Sequence, residues 1–287
     1  MTDAHGTVRA ATAEDVDAID GVLRATNPPA PGEPGFPAGV QHPYLRHLID
    51  HGAAAVVEVG GEIVGFGATI FTGRVTHLAD LFILPAHQGQ GHGGRLLEAV
   101  FGDRRPRTTF SSEDPRAMPL YVRAGMAPLW PNVYLAGDPR KLQTPEDHEV
   151  EPTTLEEVAR LDGEWGGVDR RADVPYWQTL PQASPFVVRR AGRPVAVGVG
   201  RSRLNGRGRW IDRARVAPEE DPVPALLVAL AEAGKGKDLV GACVLGPSGL
   251  LPLLLAAGFR IRDRDTFMAS EPGLVDPERE LVNTGIL

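Results

Sequence analysis

Between residues 81 and 97 the chain reads LFILPAHQGQGHGGRLL, its densest set of groups able to hold an anion. Leu81, Phe82, Ile83 and Leu84 make an apolar run expected to be a buried strand. Pro85 stops it, because proline has no N–H for a sheet ladder. Gln88, Gly89, Gln90, Gly91, His92, Gly93 and Gly94 follow, and Leu96, Leu97 and Val100 then return at helical spacing. The expectation is strand, glycine-rich turn, helix. Glycines let the main chain approach a ligand closely, and a helix start adds unpaired N–H groups and the positive end of its dipole. That combination is a phosphate cradle; the alternative is a glycine-rich turn that holds nothing. The Walker form needs Gly-Lys-Ser/Thr, and the stretch has no lysine. Gly89, Gly91 and Gly94 fit the dinucleotide pattern G-x-G-x-x-G only nominally, because no short βαβ unit with a following acidic residue accompanies them.

The spacing that fits is Q-x-x-G-x-G, as Gln88, Gly91 and Gly93, three residues after the strand-ending proline. It resembles the acetyl-CoA pyrophosphate loop of the GNAT superfamily of N-acetyltransferases. The resemblance implies transfer of acetyl from a thioester to an amine, with acetyl-CoA as cosubstrate and no metal. It implies that Gln88, Gly89, Gln90, Gly91, His92, Gly93 and Gly94 hold the pyrophosphate, and that the main chain of Leu81, Phe82 and Ile83 pairs with the pantetheine arm. It also implies an acid for the leaving thiolate at Tyr121, four residues before the helix-ending Gly125; the competing reading of Tyr121 is a core aromatic.

The incoming ammonium must lose a proton, which requires a general base. Asp80, Glu113, His77 and Asp114 are the candidates. Family members often place a glutamate twelve residues before the tyrosine, but that position is Thr109 here, and Glu113 is displaced by four. The base stays open among them. Asp80 and Glu113 are kept as catalytic candidates, and Asp114 is counted with the cofactor-binding residues. Each also has a structural reading: Glu113 or Asp114 as a helix-start residue, His77 as a strand surface residue. His47 and His51 stand four apart without the glutamate of H-E-x-x-H, so no zinc site is read from them.

Around these residues the elements follow the GNAT order. Strand, helix, proline-rich loop (27–39), helix and hairpin come first. The strand before the cradle, the cradle helix, a strand at 108–112, a helix at 116–123 and a strand at 132–136 complete it. The loop at 27–39, NPPAPGEPGFPAG, is expected to be a lid over the acceptor. The charged, proline-containing stretch 138–151 reads as a linker.

The second half repeats the first. At a shift of 133 residues Gly65 and Gly67 fall on Gly198 and Gly200, Pro85 on Pro218, Pro119-Leu120 on Pro252-Leu253, and Ala124-Gly125 on Ala257-Gly258. Thr12 and Thr154 match at a shift of 142, so the first half holds nine extra residues, in the interval that contains the 27–39 loop. The repeat lacks the cradle: Gln88, Gly91 and Gly93 correspond to Asp221, Pro224 and Leu226, and Tyr121 to Leu254. Acid and proline there oppose phosphate binding.

The expected fold is therefore α/β (α+β): two GNAT-like domains, each a mixed, mostly antiparallel sheet flanked by helices. Residues 1–140 form the acetyl-CoA-binding domain and 151–287 a degenerate one. Tandem architecture also resembles the mycothiol-biosynthetic acetyltransferases, although there the C-terminal half acts and here the N-terminal half holds the loop. A chain of 287 residues with 42% hydrophobic content can build two cores. The formal net charge of −7 argues against a nucleic-acid partner. One cysteine, Cys243, excludes an internal disulfide and fits a cytoplasmic protein. No apolar run is long enough to span a membrane. The expected partner is a small-molecule amine; a homodimer is left open. The alternatives are acetylation of a protein N-terminus or lysine, and an acetyl-CoA-binding sensor without turnover.

Overall fold

The computed structural model describes residues 6–28 and 35–287. The first half runs β1 (Thr7–Ala10), α1 (Val16–Thr26), α2 (His42–His51), β2 (Gly52–Val59), β3 (Glu62–Phe71), β4 (Thr76–Ile83), α3 (His92–Phe101), β5 (Arg107–Ser111), α4 (Ala117–Arg123) and β6 (Ala127–Gly137). The second runs β7 (His148–Pro152), α5 (Leu155–Gly166), α6 (Val174–Thr179), β8 (Ser184–Arg190), β9 (Arg193–Ser202), β10 (Arg209–Val216), α7 (Pro222–Ala233), β11 (Val240–Leu245), α8 (Leu250–Ala256) and β12 (Arg260–Ala269), then a short β13 (Glu280–Leu281). The expected order holds in both halves. The linker is shorter than 138–151, because β7 already pairs with β8 from His148, opposite Arg190.

The halves do not keep separate sheets. Among the described residues there is one sheet of thirteen strands, in the order β1-β2-β3-β4-β5-β12-β6-β11-β10-β9-β8-β7, with β13 beside β10. The order is a palindrome under the repeat. Each half's last strand crosses to lie beside the other half's fifth strand: β12 pairs with β5 and β6 pairs with β11, both antiparallel. The two exchanged strands also pair with each other. The strands that would have been edges thereby become the middle of the sheet.

Local sequence explains the elements. The tight turn of the β2–β3 hairpin uses Gly60 and Gly61, both at positive φ. Thr154 caps α5 by accepting the Glu157 N–H at 3.1 Å. On one face of the sheet α1, α2, α5 and α6 share a core in which Ile19, Leu48, Phe66, Trp177 and Val199 meet, so residues from both halves bury one another. On the opposite face α3 covers the first half through Leu96, Val100 and Phe101, and α7 covers the second through Leu226, Ala229 and Leu230.

At the exchange, Phe267 of β12 lies 5.2 Å from the Phe110 ring of β5 and stacks at 5.4 Å on Trp130 of β6. Phe267→Ala is expected to cost about 3–5 kcal/mol. Because the strands are shared, the chain should unfold in one step, with urea curves followed by far-ultraviolet dichroism and by tryptophan fluorescence coinciding. Two resolved transitions would show that the halves fold independently.

Candidate active site

The site begins where β4 and β5 part. They run parallel and pair at Thr76–Arg107, His77–Thr108 and Leu78–Thr109, with Thr109 Oγ1 donating to the Leu78 carbonyl at 3.1 Å. Beyond Leu78 no pairing continues, so this edge of 79–83 is left without a neighbouring strand among the described residues. A bulge lies at the same point: Ala68 faces Asp80 but Thr69 faces Leu78, so Ala79 is the extra residue. The bulge resets the alternation of side chains. Leu78, Leu81 and Ile83 pack toward α3, whereas Ala79 and Phe82 turn toward α1 and α2, and Asp80 turns with them into a cavity.

The glycine-rich turn lies at the end of the opening. Gln88 Nε2 donates to the Ile83 carbonyl at 2.9 Å, fastening the loop to the end of β4. Arg116 Nη1 donates to Gln88 Oε1 at 2.5 Å and is itself forked onto Asp114, with Nε–Oδ1 2.9 Å and Nη2–Oδ2 2.6 Å. Gly89 and Gly91 have φ of 77° and 83°, the left-handed region, and Gly91 is the N-cap of α3. A Cβ at Gly89, Gly91 or Gly94 would meet nothing within 4 Å. The protein's own packing therefore does not demand these glycines; positive φ at Gly89 and Gly91 and room for a ligand do. The free N–H groups of the α3 start and its dipole make an anion site. His92 is buried and Gln90 Nε2 donates back to the Ala86 carbonyl at 3.3 Å.

The second half has the same opening, and it is filled. β10 and β11 pair only at Arg209–Val240 and Trp210–Gly241. The gap beyond them receives β13, which pairs with β10 at Ala214–Leu281 and Arg215–Glu280, while Val282 bridges to Cys243 of β11. Asp221 caps α7 at the place of the missing cradle, accepting the Val223 N–H at 3.1 Å. Among the described residues one opening has glycines and no strand; the other has a strand and no glycines.

The cavity beside Asp80 measures about 490 Å³. Tyr44, Phe82 and Tyr134 line it from the first half, Arg201, Arg203 and Trp210 from the second, and Asn283 and Thr284 from the segment after β13. Asn27, Pro28, Gly35 and Phe36 of the 27–39 loop also line it; residues 29–34 of that loop lie outside the described residues. Burial pushes the Asp80 carboxyl up to about 6, and hydrogen bonding with Tyr44 offsets part of that rise. Oδ2 of Asp80 is buried with no partner among the described residues.

Tyr121 is buried against α3 in the same neighbourhood. Burial first, then the negative charges of Asp80, Asp265 and Asp114, holds its hydroxyl above the usual tyrosine range, so it stays protonated. Asp265 is also raised, to about 6, chiefly by burial, and accepts from Tyr134 Oη at 2.5 Å.

The other base candidates lie elsewhere. Glu113 is exposed and ion-paired with Arg264 of β12. Asp114 is occupied by Arg116, which holds its carboxyl below the usual range. His77, expected on a surface, is buried; burial first lowers it to about 4. Its Nε2 contacts the Thr284 carbonyl at 2.8 Å and its Nδ1 contacts Thr108 Oγ1 at 3.0 Å. Among the described residues no group of three or more His, Cys, Asp or Glu is placed to hold a metal, and no helix is long and apolar enough to cross a membrane.

Comparison with known proteins bears on this architecture. Residues 50–125, from β2 through the cradle to α4, match the family model of the Acetyltransferase (GNAT) domain. Residues 50–125 are a GNAT domain. The chain is also 33% identical over 96 residues to a mycothiol acetyltransferase of Amycolatopsis mediterranei, a match that spans 31% of this chain and 30% of that relative. Among solved structures, a putative acetyltransferase from Pyrococcus horikoshii superposes with a TM-score of 0.71 at 17% identity, covering 98% of this chain and 94% of that one. A tandem GNAT protein from the clavulanic acid biosynthesis pathway gives 0.59 at 15% identity, covering 94% and 99%. At those identities the likeness is one of fold, and it covers nearly the whole chain.

Tyr44, Arg201, Arg203 and Thr284 were not legible as cavity residues, because they reach it from helix, strand, loop and tail segments far apart in sequence. Arg116 had a local signal, an arginine two residues from Asp114 beside the cradle. Gly91→Val puts a β-branched residue at a φ of 83°. It should raise the dissociation constant of CoA by about tenfold or more, measured by calorimetry, through a displaced cradle. An unchanged constant would remove the loop from the binding site.

Proposed function

We propose that the chain is an N-acetyltransferase that moves acetyl from acetyl-CoA to the primary amine of a small metabolite in a ternary complex. Residues 1–140 would be the acting domain and 151–287 a partner domain without a cofactor. The observation that carries this reading is the contrast between the two openings: the β4–β5 gap is free and ends at a glycine cradle, whereas the β10–β11 gap is filled by β13. The main chain of Leu81, Phe82 and Ile83 would pair with the pantetheine arm. Gln88, Gly89, Gln90, Gly91, His92, Gly93 and Gly94 would hold the pyrophosphate, with Arg116 and Asp114 bracing Gln88.

Acetyl-CoA supplies an activated acyl group, and the protein supplies proton management. Asp80 takes the proton that the ammonium must lose before its nitrogen can attack. Its raised position suits the task, since a base near the working pH is ionised yet still basic. Tyr121, kept protonated by burial and by neighbouring carboxylates, donates to the departing sulfur. As the C–N bond forms the C–S bond breaks; the acylated nitrogen sheds its second proton, which restores the Tyr121 hydroxyl, and Asp80 releases the first to solvent. A cavity of about 490 Å³ between the two halves suits a small acceptor better than a protein chain.

Release of free CoA thiol across a panel of amines tests the reading; tight acetyl-CoA binding with no turnover on any amine would leave only a sensor. Asp80→Asn should lower kcat by about a hundredfold or more. Tyr121→Phe should lower kcat while CoA affinity stays within about twofold; a tenfold loss of affinity would make Tyr121 structural. The rate should rise with pH through about 6 as Asp80 ionises. Tyr44→Phe removes a bond that lowers the Asp80 value, so its acid limb should move to higher pH. A limb that stays in place would exclude Asp80 as the base.

A further inference from the structure

The cavity beside Asp80 is rich in rings. Phe36, Tyr44, Phe82, Tyr134 and Trp210 are five of its twenty lining residues, in a chain that is only 6% aromatic. They come from a loop, a helix and three strands, and both halves supply them. Three are braced by a further ring: Tyr44 lies 6.1 Å from Tyr176, Phe82 5.9 Å from Phe66, and Tyr134 6.4 Å from Trp210. The tyrosine hydroxyls are already engaged, Tyr134 Oη donating to Asp265 at 2.5 Å and Tyr44 bonding with Asp80. What these two side chains have left for a ligand is ring surface. Phe36 lines the cavity from the 27–39 loop and is 43% exposed. Its apolar area stays in water until a ligand covers it.

The arginines of the same walls are engaged as well. Arg201 is paired with the fully buried Asp212 at 2.7 Å, and Arg24 with Asp20 at 2.9 Å. Arg203 lies over the Trp210 ring, 5.7 Å from its centroid. A carboxylate on the ligand would therefore find its natural partners taken. Asp263 is exposed, where pairing with a cation gains little. Asp80 differs from all of these: its Oδ2 is buried with no partner, and among the described residues it forms no ion pair. A buried carboxylate is best satisfied by one cation that also donates hydrogen bonds. Aromatic walls are best satisfied by another ring, packed edge-to-face or offset. The cavity of about 490 Å³ takes one ring with a chain of two or three carbons. We infer that the acceptor is a primary monoamine carried on an aromatic ring, an arylalkylamine, bound with its ammonium at Asp80 and its ring among Phe36, Tyr44, Phe82 and Tyr134. This rests on the acetyl-transfer reading and names the substrate class for it.

The test uses the full chain with saturating CoA, which cannot react, so that binding is read apart from turnover. Calorimetry compares benzylamine, phenethylamine and phenylpropylamine with four controls. Ethylamine lacks the ring, phenethyl alcohol lacks the ammonium, phenylalanine adds a carboxylate, and putrescine adds a second ammonium in place of the ring. At least one arylalkylamine should bind roughly tenfold or more tighter than every control. Phe36→Ala should cut its advantage over ethylamine by about threefold or more. Phe36 is the variant of choice because it is exposed, so its loss leaves the core intact. Three results would overturn the inference: no arylalkylamine bound below about 10 mM, any control bound as tightly as the best of them, or a ring advantage untouched by Phe36→Ala in a folded protein. The same panel with acetyl-CoA then reads transfer separately. An arylalkylamine preference without CoA release leaves the ring-lined site standing and removes the transferase.

Discussion

Exchange of the last strand between the two halves is the constraint from which the rest follows. β6 and β12 each leave their own half, pair with each other at the centre and continue the partner half's sheet. Two small sheets thereby become one continuous sheet. The exchange also brings the β9–β10 segment of the second half against the β4 bulge of the first. Neither half alone has the walls of the cavity beside Asp80. A shared core of α1, α2, α5 and α6 fixes this arrangement, since each helix pair buries apolar surface of the other.

The pseudosymmetry makes the differences between halves informative. Parallel strands that separate after two or three residues leave main-chain groups that must find partners. In the second half β13 and Val282 supply them from within the chain. A charge network occupies the flanking space: Arg213 and Arg215 both bind Asp162, at 2.6 and 2.7 Å, and both reach Glu280 at 2.7 Å. Arg213 is the counterpart of Asp80 under the repeat. The position that presents a lone carboxylate in one half carries a fully compensated ion pair in the other. Among the described residues the first half places no strand in its opening, and Asp80 has the neutral Tyr44 as partner in place of a countercharge.

Burial sets the chemistry at the centre of the first half. Asp80 is raised because its charged form loses water, and the same loss keeps Tyr121 and Tyr134 protonated. The cavity lined by Asp80 and Tyr134 therefore holds a carboxylate that readily takes a proton and a hydroxyl that keeps one, with Tyr121 in the neighbouring α3 core. His77, which also titrates, is used differently: fully buried, it joins β4 to the tail at Thr284 and to Thr108 of β5.

The sequence by itself determined what is local. Glycine spacing after Pro85 requires a turn with positive φ and room for a ligand, and the 133-residue repeat carries the element order of both halves. Hairpin glycines, caps and helical periodicity act over a few residues, so they can be read in one dimension. Tertiary structure decided the strand exchange, because antiparallel β6 and β12 pair equally well in chemical terms within a half or across halves, and only shared packing selects one. It also distinguished Asp80 from Glu113 and Asp114: the three are alike as residue types, but a bulge at Ala79 turns one carboxylate into a cavity while arginines claim the others. Arg201 and Arg203 carried no signal at all, since only the joint between the halves brings them to the cavity that Asp80 lines, more than a hundred residues away in sequence.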